Sequence, residues 1–171
     1  LASTFNLAVE NFARRADDLK QSSLKRLQAA IDLRESRELA TAIQETALDS
    51  IITIDSRGKI LAFNAAAEAT FGFKAAQAMG QELAELIVPE RLREPYRRGL
   101  SHYLESGEGP ILGKRVEMPA LRAGGEEFPV EVAIVANQLR GSVCFTATIR
   151  DLTARKQAEE ELARAAMYDK L

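Results

Sequence analysis

The first stretch of the chain, to about residue 48, contains neither Gly nor Pro, and its apolar residues recur at helical spacing. Phe5, Val9, Phe12, Ala16 and Leu19 step by four and three, the seam of a heptad repeat. The rhythm then slips. Leu24, Leu27 and Ile31 resume it in another phase, and Leu39 and Ile43 continue it, so the pattern predicts a long helix with a stutter. Pairs such as Arg14/Asp18 and Arg34/Glu38 stand one turn apart on its surface. A lone helix of this length has nothing to bury its seam against. A second copy of the chain is the preferred partner, along Phe5, Val9, Phe12, Leu19, Leu27 and Ile31. A break near Ser22-Ser23 or at Arg34 to Glu38 would instead let the helix fold back.

Beyond residue 48 the period changes from helical to alternating. Ser50 to Ile54 and Lys59 to Phe63 read as two strands joined by the turn Asp55-Ser56-Arg57-Gly58, with Gly where positive φ is wanted. Asn64 is a good N-cap for a helix over Ala65 to Thr70, which ends at Phe71-Gly72-Phe73. Two short helical pieces follow, around Lys74 to Met79 and Gln81 to Ile87. Pro89-Glu90 opens a longer helix that Ser106-Gly107 closes. Three more strands are expected at about Lys114 to Ala123, Glu126 to Asn137 and Ser142 to Asp151. Gly124-Gly125 and Arg140-Gly141 mark the turns between them. Pro119 places the first of these three at a sheet edge, because Pro cannot donate to a ladder. The order predicts an α+β body, a five-stranded antiparallel sheet with helices on one face. The last strand passes without a linker into a second helix, Ala154 to Leu162, rich in helix formers and with Thr153 as its expected cap.

Composition narrows the chemistry. The 171 residues are 46% apolar, enough for a real core, and the formal net charge of −2 offers no basic field for nucleic acid. The single Cys144 rules out an internal disulfide and a Cys-rich metal site. No apolar run approaches the length of a membrane span. Leu1 is not a natural start, so the chain reads as a piece of a longer cytoplasmic protein, with any membrane segment outside it. No catalytic constellation or metal-ligand cluster is visible. Glu159-Glu160-Glu161 and the basic run Arg91, Arg93, Arg97, Arg98 read first as solvated helix faces; the basic run's functional alternative is an acidic ligand.

Four segments in order resemble the PAS domain. Ala47 to Asp55 with Gly58 is similar to its opening hairpin. Phe63-Asn64 through Glu68 with Phe71-Gly72-Phe73 is similar to its first helix and the signature after it. Gly125 to Val132 is similar to its fourth strand, and Ile149-Arg150-Asp151-Leu152-Thr153 with Glu160 and Leu162 to its Asp-Ile/Leu-Thr motif and exit helix. The resemblance implies a PAS fold at residues 42–151, after an N-terminal helical segment at 1–41 and before a signalling helix at 152–171. It further implies a non-enzymatic module that senses and dimerises, with Asp151 and Thr153 as the junction to an effector, Thr153 by capping and Asp151 by a salt bridge or by accepting backbone hydrogen bonds. A pocket is expected among Ile52, Phe63, Phe71, Phe73, Tyr96, Leu100, Val132 and Phe145, for a small-molecule ligand whose identity stays open. The alternative is a ligand-free spacer whose core those side chains simply fill.

Cofactor chemistry is constrained by the same resemblance. The flavin-adduct branch uses a Cys in the helical region, and none lies between Lys74 and Glu90. Residues Glu94 to Glu108 are similar to the haem oxygen sensors, but their axial His position falls on Tyr96. The only His, His102, lies six residues on, rotated about 240° net around the helix. Covalent flavin is therefore excluded and haem disfavoured, although redox sensing with a non-covalent flavin stays open. Ala166 to Leu171 is similar to the start of a GGDEF diguanylate cyclase domain, which makes a cyclase the expected effector and a histidine kinase the alternative.

Overall fold

The computed structural model describes residues 2–139 and 141–168. The chain divides into two units, residues 1–43 and 44–171. The first is formed by helix α1 (Ala2–Thr46), whose last three residues fall in the second unit; the helix is continuous through Ser22-Ser23 and through Arg34 to Glu38, where a break had been an option. Each of its side chains from Phe5 to Ile43 is exposed, Phe12 to 76%.

The second unit carries strands β1 (Ser50–Asp55) and β2 (Ile60–Phe63), then helices α2 (Ala65–Phe71), α3 (Ala75–Ala78), α4 (Leu83–Ile87) and α5 (Glu90–Ser106). Strands β3 (Arg115–Leu121), β4 (Glu127–Leu139) and β5 (Ser142–Asp151) complete the sheet, and α6 (Thr153–Tyr168) leaves it. All pairs are antiparallel and the order is β2-β1-β5-β4-β3. The edge position expected for the Pro119 strand is the one observed, with Pro119 opposite Pro129. Pro129 accepts from Leu152 on its other side, so the two prolines form a non-hydrogen-bonded pair and Pro119 turns its nitrogen to the free edge, where no donor is needed.

Local chemistry sets the turns. The Asp55 carboxylate accepts from the backbone N–H of Arg57 and of Lys59, and Gly58 takes φ +78° to close the β1–β2 hairpin. Asn64 Oδ1 caps α2 through the N–H of Ala67 and also accepts from the N–H of Ile51. Gly72 ends α2 at φ +80°, and a Cβ there would stand 3.3 Å from that of Ala123. In the β4–β5 turn, Arg140 lies outside the described residues and Gly141 has φ +81°.

The core lies between the sheet and the helices. Phe71 is fully buried, with its ring 6.3 Å from that of Phe63 and 5.7 Å from that of Phe128. Ile52, Ile60 and Val130 are each 1% exposed around it. Alternation along β5 sends Phe145, Ala147 and Ile149 inward and Thr146, Thr148 and Arg150 outward, as a half-covered strand requires.

Candidate functional site: a cavity under the long helix and the strand-to-helix junction

A cavity of about 240 Å³ lies between α5, segment 109–112 and the sheet. Tyr96, Leu100 and Tyr103 line it from the helix, and Ile54, Ile134 and Phe145 from β1, β4 and β5. Tyr103 meets Phe145 edge-on, with ring centroids 5.1 Å apart. The wall on α5 also includes Pro95 and Gly99. These are the two poorest residues for a helix interior, by about 3 and 1 kcal/mol relative to Ala.

Of the eight expected pocket residues, Tyr96, Leu100 and Phe145 line this cavity. Ile52, Phe63, Phe71, Phe73 and Val132 do not; they pack into or against the hydrophobic core. Both groups are apolar and inward-facing, so the pattern that placed them inside could not divide wall from filling. Ile54, Tyr103 and Ile134 were missed for the same reason.

Tyr96 presents its ring, while its hydroxyl is buried away beside Gly58 and Glu82 with no hydrogen-bond partner. Burial, and then the charge of Glu82, push the phenol well above its ordinary range, so it stays neutral. His102 is exposed. Cys144 is buried, but it precedes Phe145 and so lies on the opposite sheet face.

The basic run on α5 is largely matched by nearby carboxylates. Arg91 pairs with Glu127, Arg93 with Glu85, and Arg97 with both Glu82 and Glu85. These bonds tie α5 to α4 and β4 and leave less positive field for an acidic ligand than the sequence suggested.

The junction is built around Arg122, at the end of β3. Its guanidinium donates to the Asp151 carboxylate at 2.7 Å and to the backbone carbonyl of Thr70. It also approaches Glu126 at 3.5 Å and lies 3.7 Å over the Phe128 ring. One side chain thus joins α2, β4 and the end of β5. Asp151 in turn accepts the backbone N–H of Thr153 at 2.8 Å, which starts α6. Burial pushes the Asp151 carboxyl up, but hydrogen bonds with Thr153 and Arg122 outweigh it and hold the group below its ordinary value.

Asp151 makes both the salt bridge and the backbone hydrogen bond expected of it, whereas the cap expected of Thr153 is not formed. Thr153 is the first residue of α6, and its Oγ1 is buried beside Asp151 and caps no backbone N–H. Asp151 supplies the capping oxygen, two residues upstream, because the carboxylate reaches past Leu152 to an amide that has no intrahelical acceptor. Leu152 is 2% exposed and donates to the Pro129 carbonyl, and Lys156 meets Glu117 of β3 at 2.7 Å. The first turn of α6 is therefore fastened to the sheet, and the helix beyond it is exposed.

The PAS fold profile matches residues 38–152. The sensor protein FixL of Bradyrhizobium diazoefficiens is 31% identical over 138 residues, 81% of this chain and 27% of that protein. The cell-division control histidine kinase PdhS of Brucella ovis is 34% identical over 130 residues, 75% of this chain and 12% of that protein. The chain thus spans well under a third of the length of these curated relatives. Among solved structures, the PAS domain of an HTR-like protein from Haloarcula marismortui superposes with a TM-score of 0.58 at 24% identity, covering 72% of this chain and 98% of that one. No helix among the described residues is long and apolar enough to cross a membrane. The profile match takes in every strand of the sheet and reaches the strand-to-helix junction, and on that ground the chain belongs to the PAS family.

Proposed function

We propose that this chain is the sensory and dimerisation module of a larger cytoplasmic signalling protein, and that α6 carries its output to an effector. The observation that carries this reading is the Arg122 clamp. It connects α2, β4 and the last residue of β5, and Asp151 passes that connection to the first amide of α6. There is no flexible linker in which a displacement could dissipate. An input that biases the packing of the sheet can therefore bias the position of α6, as a two-state module requires. The cavity supports a ligand-responsive module over a solid spacer, and the exposed apolar seam of α1 supports pairing with a second copy.

A histidine kinase is the preferred effector, because a relative at 34% identity carries that name. The diguanylate cyclase reading rests on Ala166 to Leu171, of which residues 169–171 lie outside the described residues. The test is made on the full-length protein. Transfer of labelled phosphate from ATP to a histidine supports the kinase, and conversion of GTP to cyclic di-GMP supports the cyclase. Arg122→Gln should alter the basal rate and its response to dimerisation. An output indifferent to that change would overturn the junction's role.

A further inference from the structure

We infer that the cavity under α5 takes a small, uncharged, flat apolar molecule, on the order of ten non-hydrogen atoms by comparison with an engineered apolar cavity of about 150 Å³ that holds benzene. The inference deepens the sensory reading and rests on it. Three independent features carry it.

The first is the lining. No charged side chain contributes to the wall, and Arg91, Arg93 and Arg97 of α5 are held by Glu82, Glu85 and Glu127 outside it. A carboxylate or phosphate ligand would enter without a counter-charge, and burying an unpaired charge is costly.

The second is the shape of the wall. Phe145 and Tyr103 stand at 76° to each other, an edge-to-face corner into which a third flat ring can stack.

The third is Gly99. It lies three residues after Tyr96 and four before Tyr103, exposed at the rim of the cavity on α5. Its φ is not in the left-handed region, and a Cβ placed on it would meet nothing within 4 Å. Neither backbone conformation nor close packing calls for glycine there, although any other residue except Pro would favour the helix. Pro95, one turn earlier on the same wall, also weakens the helix. Gly99 is exposed at the rim of the cavity, so a larger side chain there would narrow its mouth. By contrast Gly109, also in the lining, has a packing reason, since a Cβ there would come within 2.9 Å of Leu112.

Indole, neutral and of this size, is the probe, and benzoate is the charged control of similar size. With the 171-residue chain, indole should bind saturably in calorimetry and raise the thermal midpoint, and benzoate should bind at least about tenfold more weakly. Gly99→Leu should raise the thermal midpoint of the free protein through helix propensity, and weaken indole by at least about tenfold by narrowing the cavity mouth. Gly99→Ala should give most of the stabilisation with little loss of binding, and Ile134→Phe should block the same space from the sheet if Gly99→Leu does not fold. Absence of indole binding at millimolar concentration, equal binding of benzoate, or full indole binding in both Gly99→Leu and Ile134→Phe would overturn the assignment. Such a failure leaves the Arg122 test of the sensory reading intact. An output indifferent to Arg122 would overturn the sensory reading while indole binding still stood.

Discussion

Asp49 and Arg150, 101 positions apart, meet through two hydrogen bonds, Nε to Oδ1 at 3.0 Å and Nη2 to Oδ2 at 2.8 Å. Asp49 follows the end of α1 by three residues, and Arg150 immediately precedes Asp151. Asn64 Nδ2 donates to the carbonyl of the same Asp49 at 3.2 Å, so the segment leading into the sheet is held at both its backbone and its side chain. The bidentate pair fixes that segment to the strand that leads out. A displacement arriving along the chain at Asp49 has a direct path to the junction that bypasses the cavity.

This pair makes stability depend on pH in a defined direction. The hydrogen bonds from Arg150 hold the Asp49 carboxyl below its ordinary value of 3.8, despite partial burial. A carboxylate with a depressed folded-state pKa contributes stability above its unfolded value, and that contribution is lost as pH falls through the folded one. Urea denaturation between about pH 5 and pH 2 should show a smaller loss of stability in Asp49→Asn than in the parent chain. Equal losses would mean that the pair is not formed in solution.

Arg122→Ala should cost about 1–2 kcal/mol, the range for charge-assisted hydrogen bonds after discounting for partial exposure. More diagnostic is where the loss appears. Hydrogen exchange should quicken at Thr153 and through the first turn of α6, because Asp151 loses the partner that aims it at that amide. Uniform exchange throughout the body would mean that the clamp is only a packing element.

Phe71→Ala should destabilise by about 3–5 kcal/mol, as for other fully buried aromatic residues. Phe73→Ala should cost clearly less, since Phe73 is only half-buried at the margin of the core. Neither change should alter indole affinity in protein that remains folded, because neither side chain lines the cavity. Chemical denaturation and calorimetry on the same samples check both statements.

The α1 seam is testable by sedimentation. Phe12 and Leu27 are 76% and 59% exposed within a single chain, and a helix whose side chains from Phe5 to Ile43 are all exposed is marginal on its own. At low micromolar concentration the chain should sediment as a dimer, and Phe12→Glu with Leu27→Glu should make it a monomer with a weaker helical signal in far-ultraviolet dichroism. A monomeric parent chain would remove the seam's role.

How much of this was legible in the residues depends on the distance over which each feature is decided. Gly58, Asn64 and Gly72 act on backbone within a few positions, and the turns and caps they predicted are the ones observed. Pro119 reported an edge from sequence because the missing donor is a property of the residue itself. Alternation placed Phe145 and Val132 inside, since period two is a local property of a strand. The backbone hydrogen bond expected of Asp151 is formed and the cap expected of Thr153 is not, because the path of the backbone past Leu152 brings the Asp151 carboxylate to the first amide of α6.

The sequence by itself determined the element order, the sheet edge at Pro119 and the strand that turns into a helix at Asp151, because propensity, period and turn chemistry act over a few residues. Only the tertiary structure decided which apolar side chains surround empty space. Ile54 and Ile52 sit two positions apart on the same face of β1 and both belong to the core, yet only Ile54 also lines the cavity. That difference depends on what packs opposite, on α5 and segment 109–112, dozens of residues away. The Arg122–Asp151 and Asp49–Arg150 pairs belong to the same class. Sheet order and register bring those charges together, and neither is written in the spacing of the residues that meet.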